Sequence, residues 1–390
     1  METKSPIKLT ESYIKREEVK SGLKTTIEYV KHFADAIPEN EALVFVSTDE
    51  TRIAVTWLQL YERSKTFARA LTAFGIKRNE IVAMNVRECP EWVYVTLGAM
   101  MIGAKSANIR FNFKDGSDVI GSMEKLRNCA MLIIDPGEEC SNWQIVKKLI
   151  DQVDKETGSV RSTRMPYLRY LIGYEPYEEK QMLELMTLKE VESRSESDTP
   201  LPEISESDTA YLFNTSGSIG NPKIVEHTHR TIIAIGKPPK GQPTDMHHIT
   251  MYNDRPLSWI GGSPFNFING MKRVVMYGFC NRPSDYLAFV AKIVIQEKCF
   301  IVALLPSMFT ELSRRFEELN LSSLEHLMIG TGGQPIRKSL LEQLPFPKCM
   351  VHIGYGATET GIVTGQTVMS LSSYDDFMCG YPMEGYEVKG

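Results

Sequence analysis

Short apolar segments suited to buried strands alternate with segments of helical periodicity along most of the chain. Residues 57–71 carry apolar side chains at helical spacing, and Thr56 with Gln59 forms a capping-box pattern that predicts the helix start. Residues 81–86 then predict a strand, and residues 91–102 predict a second helix that a proline opens. Repeated units of strand, loop and helix predict parallel sheets covered by helices. In such folds, ligands are expected where loops leave the carboxyl ends of strands.

A polar stretch divides this pattern into two parts. Residues 192–208 hold six acidic residues, five serines and two prolines, which predicts a linker or surface loop between two folding units. The alternation resumes beyond it. The predicted strands are residues 274–277, 300–305, 328–329 and 351–353, and the predicted helices are residues 308–319 and a segment from residue 336.

Charge and cysteine content exclude several classes of function. Lysine and arginine total 44 against 49 acidic residues, a net charge of −5, which argues against general affinity for nucleic acid or anionic membranes. The seven cysteines form no CxxC pair, so a zinc ribbon or a redox motif is not expected. Dispersed cysteines suit a reducing, intracellular compartment. No apolar run approaches the ~20 residues that span a bilayer, so no transmembrane segment is expected.

The first of three glycine-rich loops covers residues 214–223 and follows an apolar strand. Its glycines allow backbone N–H groups to approach oxygen atoms, its hydroxyls donate further hydrogen bonds, and Lys223 supplies a positive charge. These features suit a polyphosphate, although the loop does not fit the Walker pattern, because Pro222 precedes Lys223 and Ile224 follows it. A plain serine- and glycine-rich turn is the alternative interpretation.

The other two loops follow later predicted strands. Residues 330–335 expose backbone that could meet a flat ring or a ribose, and a tight β–α turn is the alternative. Residues 354–360 place Tyr355 between two glycines and add Thr358 and Glu359. A hydroxyl and a carboxylate suit a phosphate oxygen and a hard cation, whereas a hairpin with an incidental acid is the alternative.

In their order along the chain and in their residues, these loops resemble the motifs of the adenylate-forming superfamily, which includes acyl-CoA synthetases, firefly-type luciferases and nonribosomal adenylation domains. The family's phosphate signature is close to YTSGSTGxPKGV, and residues 213–225 are FNTSGSIGNPKIV. Residues 355–359, YGATE, match its YGxTE motif, and residues 332–335, GGQP, match the Gly-Gly-x-Pro loop between the two. Residues 380–382, GYP, fit a later Gly-x-Pro turn. The resemblance spans roughly residue 40 to the end.

The resemblance implies that ATP activates a carboxylic acid to an acyl-adenylate, from which coenzyme A takes the acyl group as a thioester. It implies a phosphate-gripping loop formed by Thr215, Ser216, Gly217, Ser218, Gly220 and Lys223. It implies adenine contacts from Gly333, Gln334 and Tyr355, an α-phosphate contact from Thr358, and Mg²⁺ binding by Glu359. Lys223, Thr358 and Glu359 would be the catalytic residues, while Trp259 and Gly332 would line the substrate pocket, with a core tryptophan as the alternative for Trp259.

The resemblance also implies a fold of two doubly wound α/β subdomains, residues 1–205 and 206–330, with the phosphate loop in the second. Residues 331–390 would hold the adenine and Mg²⁺ motifs and a partial, β-barrel-like third subdomain. The sequence ends at Gly390, so the family's C-terminal lid domain, with its lysine, is expected to be absent. A fragment or a truncated product, either of them impaired in activity, is the corresponding interpretation.

Two positions depart from the phosphate signature. Ile219 replaces a hydroxyl and cannot donate a hydrogen bond, which is worth about 1.5–3 kcal/mol to a charged group. Ile224 replaces a glycine and is expected to resist positive φ. Both departures favour the alternative of a non-catalytic nucleotide- or acyl-binding protein.

The mostly apolar segments 259–269 and 304–309 favour a fatty or aryl acid as substrate. His229 is interpreted as structural, and His247 with His248 as a surface pair.

Overall fold

The computed structural model describes residues 13–16, 22–109, 115–137, 141–174, 184–195, 200–215, 223–236, 245–263, 265–278, 283–383 and 385–389. Two large sheets organise this part of the chain. The first sheet has seven strands in this spatial order: β10 (Met186–Thr187), β9 (Tyr170–Gly173), β6 (Cys129–Ile134), β4 (Ile81–Asn85), β5 (Lys105–Asn108), β11 (Thr209–Asn214) and β12 (Ile224–Thr228). The strands of this sheet are parallel except for the edge strand β12.

The second sheet has nine strands and is mixed. Its spatial order is β19 (Tyr381–Pro382), β18 (Gly361–Val368), β17 (Cys349–Ala357), β16 (Leu327–Gly332), β15 (Ile301–Ala303), β13 (Thr250–Asn253), β14 (Lys272–Met276), β2 (Glu41–Val46) and β3 (Arg52–Thr56). Six central strands are parallel, and the edge strands β3, β18 and β19 pair antiparallel. Two small antiparallel pairs complete the described strands: β1 (Tyr13–Arg16) with β20 (Tyr386–Lys389), and β7 (Gln152–Val153) with β8 (Val160–Arg161).

Helices cover both faces of each sheet. Their bounds are α1 (Thr26–Ala36), α2 (Trp57–Ala73), α3 (Pro90–Met101), α4 (Ser117–Lys125), α5 (Ser141–Val146), α6 (Leu188–Ser193), α7 (His229–Gly236), α8 (Tyr286–Gln296), α9 (Pro306–Arg314) and α10 (Lys338–Leu341). Helices α1, α2 and α3 share one core with both sheets, α4 and α5 pack on the outer face of the first sheet, and α8, α9 and α10 pack on the outer face of the second. The result is five alternating layers of helices and sheets, which confirms the predicted α/β fold.

The buried strands follow the two-residue period of a sheet with two covered faces. In β2, Leu43 and Phe45 enter the core between the sheets, whereas Val44 and Val46 enter the outer core. A central strand with both faces buried must be apolar at every position, which explains why these segments are continuous apolar runs in the sequence. In the described residues, no helix is long and apolar enough to cross a membrane.

The predicted start of α2 is confirmed. The Thr56 hydroxyl accepts a hydrogen bond from the Gln59 N–H, and the Gln59 side chain accepts one from the Thr56 N–H. Predicted strand ends are less accurate: the strand predicted at residues 351–353 extends from Cys349 to Ala357, and the one at residues 328–329 continues to Gly332. Both extensions run through glycines, which sequence patterns associate with loops.

Sheet membership crosses the boundary predicted at residue 205. Strands β2 and β3 precede it yet belong to the second sheet, while β11 and β12 follow it yet belong to the first. As a division between the sheets, this boundary is therefore misplaced. In the described part of residues 331–390, strands β17, β18 and β19 extend the second sheet, while β20 pairs with β1 in a separate two-stranded sheet. The predicted linker at residues 192–208 begins inside α6, and its Asp208 pairs with Arg78.

Candidate active site

An antiparallel pair of strands holds the two ends of the predicted phosphate loop. Asn214 at the end of β11 pairs with Ile224 at the start of β12. The Thr215 N–H donates a 2.9 Å hydrogen bond to the Lys223 carbonyl, and the Asn214 side-chain amide donates one of 2.6 Å to the carbonyl of Asn108 on β5. Thr215 is half-buried and Lys223 is exposed. The remaining predicted loop residues, Ser216, Gly217, Ser218 and Gly220, lie outside the described residues.

The expected strain at Ile224 is wrong. This residue begins strand β12 and does not adopt positive φ. A β-branched side chain suits an extended backbone, so isoleucine fits this position without positive-φ strain. Ile219, the other departure from the signature, lies outside the described residues.

The tyrosine motif forms part of a second hairpin. Strand β17 runs through Tyr355, Gly356 and Ala357, and the turn to β18 contains Thr358 and Glu359. A Cβ atom on Gly356 would overlap the carbonyl oxygen of Gly361, so the close pairing of the two strands requires glycine there. Tyr355 is 54% exposed and Glu359 is exposed, which leaves an aromatic face and a carboxylate accessible to a ligand.

The two hairpins meet, although they belong to different sheets. Nε2 of His227, on β12, lies 2.7 Å from the carbonyl oxygen of Thr358. A Cβ atom on Gly361 would come within 2.6 Å of Ile235 in α7, so the start of β18 also packs closely on the helix that follows β12. The turn with Glu359 therefore lies against the strand that leaves the phosphate loop. Sequence analysis did not single out His227, because nothing in its neighbourhood showed that a distant turn would contact it.

A third motif lies on the strand next to this hairpin. Gly332 at the end of β16 pairs with Gly354 on β17, and a Cβ atom on Gly332 would overlap the Gly354 carbonyl oxygen. Gly333 has φ of +99°, a conformation that L side chains rarely adopt, and both Gly333 and Gln334 are exposed. The glycines therefore bring two strands close together and present open backbone beside the tyrosine strand.

The predicted substrate segment follows β13. The Trp259 side chain is 37% exposed. The backbone N–H of Trp259 donates a 3.0 Å hydrogen bond to the Pro256 carbonyl within a turn. The Leu257 N–H donates to both carboxylate oxygens of Glu88, at 3.2 and 3.0 Å. The partial exposure of Trp259 does not support its alternative interpretation as a core side chain.

Comparison with known proteins agrees with this geometry. The sequence model of the AMP-binding enzyme family matches residues 30–389. The chain belongs to this family. It is similar to YngI of Bacillus subtilis (strain 168), named as a candidate acyl-CoA synthetase, with 25% identity over 86% of this chain and 61% of that protein. It is also similar to an acetyl-coenzyme A synthetase of Citrobacter koseri, with 23% identity over 83% of this chain and 50% of that protein.

Solved structures of the same superfamily share the fold of this chain. The anthranilate CoA ligase AuaEII, solved in complex with anthranoyl-AMP, superposes with a TM-score of 0.71 and 17% sequence identity over 93% of this chain and 65% of that one. The chain thus spans between half and about two thirds of these relatives' lengths. The predicted resemblance to the adenylate-forming superfamily is confirmed.

Glu88 and Arg273 are buried charged residues that no sequence pattern revealed. Glu88 is 8% exposed, and burial raises the pKa of its carboxyl to about 7, while the Leu257 N–H and the charge of Arg273 act in the opposite direction. Arg273 is 2% exposed and donates a 3.0 Å hydrogen bond to the Ser263 carbonyl. The signal in the sequence was weak: one charged residue before an apolar helix and one within an apolar strand.

A half-buried arginine connects the substrate segment with the glycine loop. Arg255 donates hydrogen bonds to the carbonyls of Leu304, at 3.1 Å, and Gly332, at 3.3 Å. These carbonyls lie just beyond β15 and at the end of β16, at the edge of the sheet where the parallel strands terminate. The guanidinium therefore joins the carboxyl ends of two neighbouring parallel strands beside the predicted glycine loop.

The donor set fits the Mg²⁺ that the family implies. In the described part of the chain, no group of three or more His, Cys, Asp or Glu residues is arranged to hold a metal ion. Mg²⁺ in nucleotide sites typically takes one or two carboxylates, with substrate phosphates and water as its other ligands. A single exposed carboxylate, Glu359, beside the strand that leaves a phosphate loop agrees with that pattern.

Three further histidines, His229, His247 and His248, have the structural settings that the sequence predicted. His229 is 1% exposed and its Nδ1 accepts a 3.2 Å hydrogen bond from the Thr26 N–H. Burial lowers its pKa to about 4, so the ring is neutral at pH 7. His247 and His248 are exposed, and Nδ1 of His247 lies 2.8 Å from the Asp245 carboxylate.

Proposed function

We propose that this protein activates a carboxylic acid with ATP to form an acyl-adenylate and then transfers the acyl group to coenzyme A. The main support is the 2.7 Å contact between His227, on the strand that leaves the phosphate loop, and the carbonyl of Thr358 in the carboxylate turn, 131 residues further along the chain. A phosphate loop and a carboxylate turn are both needed to bind a metal–nucleotide complex, and only the fold brings them together.

In the activation step, a carboxylate oxygen attacks the α-phosphorus of ATP. The new oxygen–phosphorus bond forms as the bond from the α-phosphorus to the β-phosphate oxygen breaks, and pyrophosphate leaves. Such reactions depend on positioning and charge neutralisation more than on a nucleophilic side chain. Lys223 and the N–H and hydroxyl groups of the loop would hold the departing phosphates, and Thr358 would bond an α-phosphate oxygen. Mg²⁺ at Glu359 would neutralise phosphate charge.

The neighbouring strand ends would orient the rest of the nucleotide and the acyl group. Tyr355 would stack on adenine, since its ring is 54% exposed, and the backbone of Gly333 with the Gln334 side chain would meet the ring edge. Trp259 and Gly332 would border the acyl chain. In the second step, the coenzyme A thiol attacks the acyl carbon, a thioester forms, and AMP leaves.

A fatty or aryl acid is the proposed substrate class. The segments next to Trp259 are mainly apolar or small, and an ammonium-bearing acid would require a buried anionic partner. Glu88 is buried near this segment, but both of its oxygens accept hydrogen bonds from Leu257, and the positive charge of Arg273 acts on it. Its surroundings therefore disfavour a further cation.

Exchange of radiolabelled pyrophosphate into ATP tests the proposed activation step. We expect exchange that depends on added acid, with octanoate or benzoate more effective than acetate or leucine. A folded protein that shows no exchange with any acid would contradict activation. Stimulation by leucine alone would contradict the substrate class and leave activation standing. Formation of an acyl-CoA thioester with the preferred acid then tests the second step.

A non-catalytic nucleotide- or acyl-binding role is the second candidate. Ile219 favours it, because the loop loses a hydroxyl donor at that position. Binding of Mg·ATP without pyrophosphate exchange would support this role, and Ile219→Thr offers a direct comparison. Exchange that appears only in Ile219→Thr would show that the loss of this hydroxyl blocks the chemical step.

A further inference from the structure

We propose that His227 is a positioning residue, which fixes the Thr358–Glu359 turn relative to the phosphate loop. This inference rests on the proposed function, because it gives the turn its role in binding a metal–nucleotide complex. It concerns a residue that neither the phosphate-loop motif nor the tyrosine motif contains. His227 lies four positions beyond Lys223 and faces the other motif across the boundary between the two sheets.

The chemistry of the contact defines the role of the ring. A carbonyl oxygen only accepts hydrogen bonds. Nε2 of His227 therefore carries the proton and donates a 2.7 Å hydrogen bond to the Thr358 carbonyl. Burial lowers the pKa of His227, an effect that the Thr358 carbonyl and the charge of Glu359 partly offset. The ring is 2% exposed, so water cannot readily replace the bond when the ring is lost.

The surroundings of the imidazole fix its direction. Nδ1 lies 3.2 Å from the Thr231 hydroxyl in α7, and the ring of Phe213 on β11 packs edge-on against it at 5.5 Å between centroids. Phe213 immediately precedes the phosphate loop, and His227 lies on the strand that follows the loop. The same ring therefore contacts both strands that hold the phosphate loop and donates to the turn of the other sheet.

Two further hydrogen bonds of the turn come from its own hairpin and from the end of the described chain. The Thr360 N–H donates a 3.2 Å hydrogen bond to the Ala357 carbonyl, and the Tyr386 hydroxyl donates one of 3.0 Å to the Thr360 carbonyl. These contacts shape the hairpin without relating it to the phosphate loop. The packing of Gly361 against Ile235 in α7 brings the start of β18 close to the first sheet. The His227 hydrogen bond acts on the turn itself, at the residue next to the proposed metal-binding Glu359.

A site for a metal–nucleotide complex gains affinity when its parts are held in place before the ligand binds. Loss of the His227 donor would leave the Thr358 carbonyl buried against an apolar side chain and would allow the turn to move. The ligand would then have to order the turn, which weakens the binding of Mg·ATP without removing any group that touches it. His227 is therefore not a catalytic residue in this account.

The test compares three variants of the full chain. His227→Leu removes the donor, His227→Gln restores an N–H at the position of Nε2, and His229→Leu is the matched control. His229 is equally buried and two residues away, but its ring bonds Thr26 rather than the turn. Amide hydrogen exchange of the ligand-free proteins reports the mobility of residues 356–362, and a Mg²⁺ titration at fixed ATP reports the metal dependence of nucleotide binding.

We expect His227→Leu to accelerate exchange in residues 356–362 by roughly tenfold and to raise the Mg²⁺ midpoint by about three- to tenfold, in line with the loss of one buried hydrogen bond. His227→Gln should recover most of both effects. His229→Leu should lower overall stability without a selective change at residues 356–362. Unchanged hydrogen exchange of residues 356–362 in His227→Leu would overturn the inference, regardless of the Mg²⁺ midpoint for nucleotide binding.

The two readouts separate this inference from the proposed function. Faster local exchange with an unchanged Mg²⁺ midpoint would show that His227 holds the turn but that the turn does not bind the metal, which overturns the positioning role toward Mg·ATP. A wild-type chain that is folded and binds no Mg·ATP would contradict the proposed function itself. Failure of Gln to restore either effect would show that the imidazole acts through packing rather than through its donated hydrogen bond, which also overturns the inference.

Discussion

The Thr215 N–H donates a 2.9 Å hydrogen bond to the carbonyl oxygen of Lys223, so the two ends of the phosphate loop are joined at the edge of the first sheet. Glycines and hydroxyls in a loop whose two ends are held together in this way can direct several donors to one anion. Lys223, exposed at the base of the loop, adds its charge to these donors.

Lys223→Ala should weaken the binding of ATP and pyrophosphate by roughly ten- to a hundredfold, because a hydrogen bond to a charged group is worth about 1.5–3 kcal/mol. Its stability should be unchanged, since the side chain is exposed. Isothermal titration calorimetry measures the first quantity and thermal unfolding the second. Lys348→Ala, an exposed lysine just before β17, is the control. Equal affinity in both variants would contradict the role of Lys223.

Glu359→Gln should weaken the binding of Mg·ATP by about tenfold or more, because the neutral amide is a poor ligand for a hard cation. Binding of ATP in the presence of EDTA should be unchanged or slightly stronger, since a negative charge beside the phosphates is removed. Calorimetric titrations with and without Mg²⁺ separate the two effects. An unchanged affinity for Mg·ATP would count against the metal role of Glu359.

Gly332→Ala should lower the free energy of unfolding by about 1–3 kcal/mol and weaken adenylate binding, because the added methyl group overlaps the Gly354 carbonyl and pushes β16 away from β17. Gly330→Ala on the same strand is a close control. Its Cβ would meet only Ala303, at 3.8 Å, so its effect should stay within about 1 kcal/mol. Urea unfolding of both variants makes the comparison. Equal stability of the two would contradict the close approach at Gly332.

Glu88 should make stability fall as pH rises. Its folded-state pKa is raised to about 7 from 4.5, so between these values the folded state retains a proton that the unfolded state has lost. This contribution is fully present below pH ~4.5, falls to zero by pH ~7, and amounts to about 3 kcal/mol. Arg273, whose charge favours the ionised carboxylate, and Tyr211, whose pKa Glu88 helps to raise, are the groups that act on it.

Glu88→Gln keeps an acceptor for the Leu257 N–H but cannot ionise. The variant should match the wild type near pH 5 and exceed it in stability near pH 8, which urea unfolding across this range would measure. Glu342→Gln, at an exposed position, should follow the wild-type profile. Parallel profiles for Glu88→Gln and the wild type would show that this carboxyl ionises normally in the folded protein.

Sequence patterns predicted the elements of this fold well where they depend on local chemistry. The Thr56–Gln59 capping box forms as expected because both of its hydrogen bonds lie within one turn of helix. Strand ends were less accurate at Gly332 and Gly354, where glycine permits close strand pairing instead of a turn. At Ile224, a comparison with the family pattern predicted strain, but the extended backbone of β12 removes it.

The sites that sequence patterns missed depend on long-range packing. Strands β2 and β3 join the second sheet across more than two hundred residues, and no local pattern specifies that partner. Glu88 and His227 likewise acquire their surroundings from Leu257 and Thr358, which are 169 and 131 residues away in the chain. The phosphate, glycine and tyrosine motifs could be named from the sequence, but the contacts that hold them in place could not.

Calorimetric titration with a stable acyl-adenylate mimic tests the central claim most directly. The wild type should bind a mimic with a medium fatty or aryl acyl group, and Tyr355→Ala should bind it about tenfold or more weakly, because stacking of a base on an aromatic ring contributes about 1–3 kcal/mol. Tyr167→Ala is the control, since Tyr167 is 56% exposed compared with 54% for Tyr355. A folded wild-type protein that binds neither the mimic nor Mg·ATP would contradict the adenylate-forming account.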